Sequence, residues 1–262
     1  MAIAPSEEIG GGGAVRPSEG WGVVHLFLRA RRERPGAGAI LEAVRAFTAD
    51  GTHQAIAFSV LGSRADLGLM ALGPDLDALD RLTKAVLEGP VEPVSSFVSL
   101  TERSEYIPTE DQERRRLEAE GVADVEARLA HWRQRIERHV DARLHPRLPL
   151  RRMIAFYPMS KRRMENANWY ELSFEERSRL MEGHGRIGMR YAGRILQLIT
   201  GSTGLDDWEW GVTLLADDPA AIKEVVAEMR FDAVSARYSE FGPFWVGLVM
   251  EPEAVLARVG LP

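Results

Sequence analysis

The 262-residue chain has no cysteine. That excludes disulfides and thiolate ligation of any kind, so a metal would have to be held by His, Tyr, carboxylate or Met. Long apolar runs are missing too: none reaches the roughly 18 residues that a membrane span needs. Positive charge is in deficit. Lys and Arg number 33 against 39 Asp and Glu, a net −6, which argues against nucleic acid as a partner. The opening stretch MAIAPSEEIGGGGAVRPSEG lacks the basic and apolar regions of a secretory signal. It reads as a disordered arm over 1–20, and the chain is expected to be cytoplasmic. What is present, 45% hydrophobic and 27% charged residues, suits a soluble globular protein of one large or two ordinary domains.

Periodicity divides the rest. Trp21 to Ala30 is an apolar strand, and Ile40, Leu41, Val44 and Phe47 recur at helical spacing. Two apolar runs, 53–61 and 66–72, flank the Gly62-Ser63 turn. Gly73-Pro74-Asp75 opens a second helix and Val94 to Leu100 is a last strand. The order β-α-β-β-α-β over 21–108 is ferredoxin-like. Residues 109–150, dense in Arg and Glu, form a charged helical connector. From 151 to 262 the pattern repeats. A strand carries Met153, Ala155, Tyr157 and Met159 on one face, and Ser173 with Glu176 makes a capping box before a helix to about Tyr191. Strands follow at 194–200 and 208–215, Asp218-Pro219 caps a further helix, and 244–250 closes the unit. The expected class is α+β: two ferredoxin-like halves merging into a dimeric α+β barrel with its helices outside.

Several residues sit where packing alone does not ask for them. His184 shares a helical face with Leu180, Ile187 and Tyr191, among Gly183, Gly185 and Gly188. Each glycine costs a helix about 1 kcal/mol relative to alanine. Either the helix is packed tightly against a sheet, or something bulky such as a flat macrocycle ligated by the imidazole approaches it. Tyr157 lies on the inward alternation of its strand, with Lys161 just past the strand end; they are a core phenol and a solvated lysine, or a proton and hydrogen-atom donor pair. Gln197 alternates with Ile195 and Ile199, so its amide takes an apolar position and needs partners. Arg143 and Arg230 could each hold a carboxylate in a bidentate pair.

These residues fall in a familiar order. Tyr157-Pro-Met-Ser-Lys161, Asn168-Trp-Tyr, His184-Gly-Arg-Ile-Gly188, Asp207-Trp-Glu-Trp, Arg230 and Glu240-Phe-Gly-Pro-Phe-Trp245 together resemble the coproheme decarboxylases, the haem-synthesis branch of the chlorite dismutase-like superfamily. The likeness runs from Trp21 onward, with Ala65-Asp-Leu-Gly-Leu-Met-Ala-Leu and Ser104-Glu-Tyr in the first half. It implies that only the C-terminal half holds haem and that two propionates of iron coproporphyrin III (coproheme) are converted by hydrogen peroxide to vinyl groups, giving haem b. By position, it makes His184 the iron ligand, Tyr157 the radical-forming tyrosine and Lys161 its assistant. Arg143, Arg230 and, more weakly, Ser235 become contacts to the substrate carboxylates. Gln197, thirteen residues after the histidine, stands where chlorite dismutases carry an arginine. A neutral amide holds an oxyanion less well than a guanidinium, which disfavours chlorite as substrate. A haem-binding or haem-delivery module without turnover is the alternative from another class. The resemblance further implies a homo-oligomer, a ring of five, and transient contact with ferrochelatase. His131, His139 and His145, all in the connector, receive no role.

Overall fold

The computed structural model describes residues 13–261. The first half comprises β1 (Gly22–Ala30), α1 (Ala37–Thr48), β2 (Gln54–Val60), β3 (Leu67–Gly73), α2 (Leu76–Glu88) and β4 (Val91–Thr101). Two connector helices follow, α3 (Glu110–Ala119) and α4 (Val125–Leu144). The second half has β5 (Met153–Lys161), the small hairpin β6 (Arg163–Met164) and β7 (Ala167–Asn168), a 3-10 turn at Trp169–Glu171 and α5 (Phe174–Arg190). It continues through β8 (Ile195–Gly201), β9 (Trp210–Ala216), α6 (Pro219–Met229), α7 (Ala233–Tyr238), β10 (Ser239–Phe241), β11 (Trp245–Val249) and α8 (Pro252–Arg258).

Each half forms an antiparallel sheet with the same connectivity: β2-β3-β1-β4 in the first, β8-β9-β5-β11 in the second. Two short seams join them. Leu100 and Thr101 of β4 pair with Gly201 and Thr200 of β8, while β11 pairs with β2 from Gly247↔Val60 to Val249↔Phe58. The ring of strands thereby closes. The expected pair of ferredoxin-like halves is present as one barrel.

Alternation along the strands sorts the side chains. Facing inward are Phe27, Phe58, Phe97, Phe156 and Trp245, and the stacking of Phe27 on Trp245, 4.2 Å between centroids, crosses from one half to the other. His25 lies fully buried among them, stacked on Phe156 and 2.9 Å from the Thr213 hydroxyl. Burial drives its pKa down to about 3, so the imidazole is neutral. Gly68 faces Phe58 across β2–β3, where a Cβ would fall 2.1 Å from the ring.

The second half is not a plain copy of the first. The β6–β7 hairpin is inserted before α5, and α7 and β10 before β11; both insertions pack beside the cavity described below. α8 and the residues that follow it, although part of the 151–262 stretch, bury Val255, Leu256, Val259 and Leu261 in the core of the first half. Of the arm expected over 1–20, residues 1–12 lie outside the described residues. Val15, by contrast, donates its N–H to Asp75, the N-cap of α2, and accepts from the Leu76 N–H. The connector also docks: Leu144 accepts from the Thr101 hydroxyl at 2.7 Å, placing the end of α4 at the β4–β8 seam.

Candidate functional site

α5 begins at the anticipated capping box, with Ser173 and Glu176 each satisfying the other's backbone N–H. None of its residues is buried. A cavity of about 410 Å3 lies on the outer face of the second sheet, a size common for small-molecule sites. Its floor is the outward alternation of three strands: Tyr157 and Met159 of β5, Gln197 and Ile199 of β8, and Trp210, Val212 and Leu214 of β9. Met181 and His184 of α5 form the facing wall, with Arg230, Ser235 and Phe244 at the sides. Arg143 of α4 and residues 102–106, which follow β4, complete it. His184, Tyr157, Lys161, Gln197, Arg143, Arg230 and Ser235 all line this one cavity. His131, His139 and His145 do not line it.

His184 is held by a partner that sequence reading left open. Its Nδ1 lies 2.8 Å from Asp232 Oδ2, and that same oxygen accepts the backbone N–H groups of Val234 and Ser235 at the start of α7. A carboxylate fixed by two amides accepts the Nδ1 proton, which selects the tautomer with its lone pair on Nε2. Nε2 has no hydrogen-bond partner among the described residues, and the ring borders the cavity. The arrangement suits an imidazole presented to a metal. Asp232 stands 48 residues from His184, and its only sequence signal was that of a helix N-cap before Ala233.

The other side chains are tuned mainly by burial. Tyr157 stacks on Phe244 at 4.4 Å and meets Phe241 edge-on. Its phenol is pushed up to about 12, so it keeps its proton at neutral pH. Lys161 sets its ammonium over Trp169, 4.4 Å from the ring centroid. Burial lowers its pKa to about 8, with the charges of Asp232 and Glu209 opposing the shift. Arg143 is likewise lowered by burial, while Glu102, raised by burial, accepts from the Trp210 indole at 3.0 Å. Lys161 and Arg143 make no ion pair at bonding distance among the described residues. Half-buried cations without a fixed ion-pair partner favour an anionic ligand.

The glycines of α5 are not required by protein contacts. A Cβ at Gly185 would meet nothing within 4 Å, at Gly183 only the tip of Arg186 at 3.8 Å, and at Gly188 the Met229 methyl at 3.5 Å. Nor do the described residues contain a group of three or more His, Asp or Glu placed to hold a bare metal ion. One imidazole, a flat apolar floor and cations at the margin fit a metal that brings its own macrocycle and carboxylates.

The family model for chlorite dismutase matches residues 37–250. The chain belongs to that family. Within the family, its similarity leans toward one branch. A coproheme decarboxylase of Staphylococcus carnosus is 43% identical over 202 residues, covering 76% of this chain and 74% of that protein. A Haloarcula marismortui protein, named for a suggested haem-binding role, is 39% identical over 251 residues and covers 93% of this chain. This chain spans 36% of that relative's length. Among solved structures, a haem-binding protein of Thermus thermophilus superposes with a TM-score of 0.75 at 34% identity, covering 93% of this chain and 96% of that one. No helix among the described residues is long and apolar enough to cross a membrane.

Proposed function

We propose that this member of the chlorite dismutase family is a peroxide-dependent coproheme decarboxylase that converts two propionates of iron coproporphyrin III to vinyl groups and yields haem b. Each propionic acid and one hydrogen peroxide give one vinyl group, one CO2 and two waters, so the atoms and electrons balance. The observation that carries this reading is the placement of Tyr157 and Lys161 on the same cavity as His184. A haem carrier needs the histidine alone. The similarity to the S. carnosus enzyme supports the reading.

His184 would ligate the iron through Nε2, its ring oriented by Asp232. Bound there, the iron porphyrin supplies the oxidising power drawn from peroxide. The chain supplies the rest. Arg143, Arg230 and Ser235 hold carboxylates and fix which side chain of the porphyrin lies beside Tyr157. The Tyr157 phenol is kept neutral by burial and so has an O–H hydrogen atom to give. Lys161, lowered to about 8, both attracts the carboxylate and can exchange a proton near neutral pH. Gln197 on the cavity floor is a neutral hydrogen-bonding group toward peroxide, whereas chlorite would call for a cation. Assembly as a ring of five and transient contact with ferrochelatase belong to the same proposal.

The test is to add iron coproporphyrin III, titrate peroxide and follow the porphyrin by mass. The expected result is stepwise loss of two carboxyl equivalents through a three-propionate intermediate. Tight binding with no mass change would overturn the decarboxylase reading. An oxygen electrode with chlorite then separates a dismutase from a carrier.

A further inference from the structure

Glu209, between Trp208 and Trp210 just before β9, is an acid buried to 5% exposure. A buried carboxylate is costly unless strong donors surround it. Here they come from the two ends of a single device. Glu209 Oε2 accepts the Lys161 backbone N–H at 2.7 Å, and Oε1 accepts the Tyr170 O–H at 2.6 Å together with the Arg163 guanidinium. Its own N–H is directed at the Ser160 hydroxyl and the Met159 carbonyl. Lys161 and Tyr170 flank the β6–β7 hairpin, whose exit is marked by the bond from the Trp169 N–H to the Arg162 carbonyl. One carboxylate therefore closes the base of this hairpin from both sides. The Lys161 ammonium lies over Trp169, the residue next to Tyr170.

We infer that Glu209 is a positioning residue for Lys161: by tying the Lys161 backbone to the Tyr170 hydroxyl, it fixes the Trp169 ring under the ammonium and aims that ammonium into the cavity. The inference rests on the decarboxylase reading for its catalytic meaning, but not for its geometry. Charge alone would not need this arrangement. Asp232, at the cap of α7, also acts on Lys161 electrostatically, and Tyr157, His184, Arg143 and Arg230 share the cavity from β5, α5, α4 and the end of α6. Among the described residues only Glu209 bonds to both Lys161 and Tyr170.

The chain has three lysines, Lys84, Lys161 and Lys223, and the outer two are exposed. Limited acetylation with acetic anhydride across pH 6–11, read by peptide mass, thus reports Lys161 against two internal references. The assay is run on the full chain without porphyrin, for wild type, Glu209→Gln and Tyr170→Phe. Burial is the largest influence on Lys161 and exceeds the opposing carboxylates. Release from Trp169 should therefore move its midpoint up by about one unit in both variants. It should also lower kcat for decarboxylation by about tenfold, with KM within about twofold. A purely electrostatic role would move the midpoint down in Glu209→Gln and leave Tyr170→Phe unchanged; that result, or no change in either variant, overturns the inference. Should Glu209→Gln fail to fold by circular dichroism, Tyr170→Phe decides alone, since Tyr170 is 49% exposed and its loss leaves the charge in place. If wild type lacks decarboxylation, the functional reading fails while the labelling still decides the positioning role.

Discussion

The two halves of the chain share a topology and differ in what covers the outer face of their sheets. In the first, α1 and α2 lie flush: Ile40, Val44, Phe47, Leu79, Leu82 and Val86 are buried against Leu67, Leu69 and Ala71. In the second, α6 packs through Ala221, Ile222 and Val225, but α5 buries nothing fully, and its side of the sheet carries Tyr157, Gln197 and Lys161 where the first half has Leu and Ala. One copy of the fold packs its outer face throughout, and the other leaves a cavity there. Closing the barrel makes this tolerable, because the interior aromatic core is built by both halves and does not depend on α5.

The largest expected contrast separates activity from ligation. Tyr157→Phe removes only an oxygen from a stacked ring and should bind iron coproporphyrin III with an unchanged absorption spectrum. Haem b formation should fall at least about 100-fold. His184→Ala should instead alter the spectrum itself. Normal decarboxylation by the tyrosine variant would remove the radical role from Tyr157.

On the first half the same kind of truncation should strike stability. Leu79 is 1% exposed in a close-packed cluster, so Leu79→Ala should cost about 2–5 kcal/mol in urea unfolding while KM for the porphyrin holds. A porphyrin-binding defect of equal size would mean that the halves are not divided as described. A smaller effect of opposite sign is expected on α5. At Gly188 a Cβ would sit in ordinary contact with Met229 and the Gln197 amide, at 3.5 and 3.6 Å. Gly188→Ala should therefore stabilise the fold by about 0.5–1 kcal/mol yet weaken porphyrin binding, measurable by titrating both quantities on one preparation. Equal or tighter binding would show that the glycine is not reserved for the ligand.

Much of this was legible because strands and helices announce themselves locally. Period-two alternation put Met153, Ala155, Tyr157 and Met159 on one face, and Ser173–Glu176 and Asp218–Pro219 marked helix starts that the structure keeps. What escaped was what depends on contacts distant in sequence. The seams that close the barrel are two and three residue pairs long, too short to leave a pattern. Asp232 was not singled out at all: it caps α7, and its bond to His184 spans 48 residues. Glu209 was visible only as part of a Trp-Glu-Trp motif, although it bonds both ends of the β6–β7 insertion. The glycines on α5 hinted at open space without saying which side of the sheet held it.

Lys161 offers the finest measure of the division between the halves, because it should carry a stability cost for its place in the cavity. Its folded-state value of about 8 lies below the ordinary lysine value of 10.5, so the folded protein binds this proton less tightly than the unfolded chain does. Below about pH 8 the lysine is charged in both states and the cost of burying that charge is fully present. Between about 8 and 10.5 the folded protein releases the proton first, and the cost fades as pH rises. Lys161→Met keeps a long chain on Trp169 and deletes the charge. It should raise the urea midpoint relative to wild type at pH 7, with the difference shrinking by pH 10. A constant difference across that range would mean that the ammonium is not held out of water. The second half would then be less committed to its site than the geometry of Trp169 and Glu209 indicates.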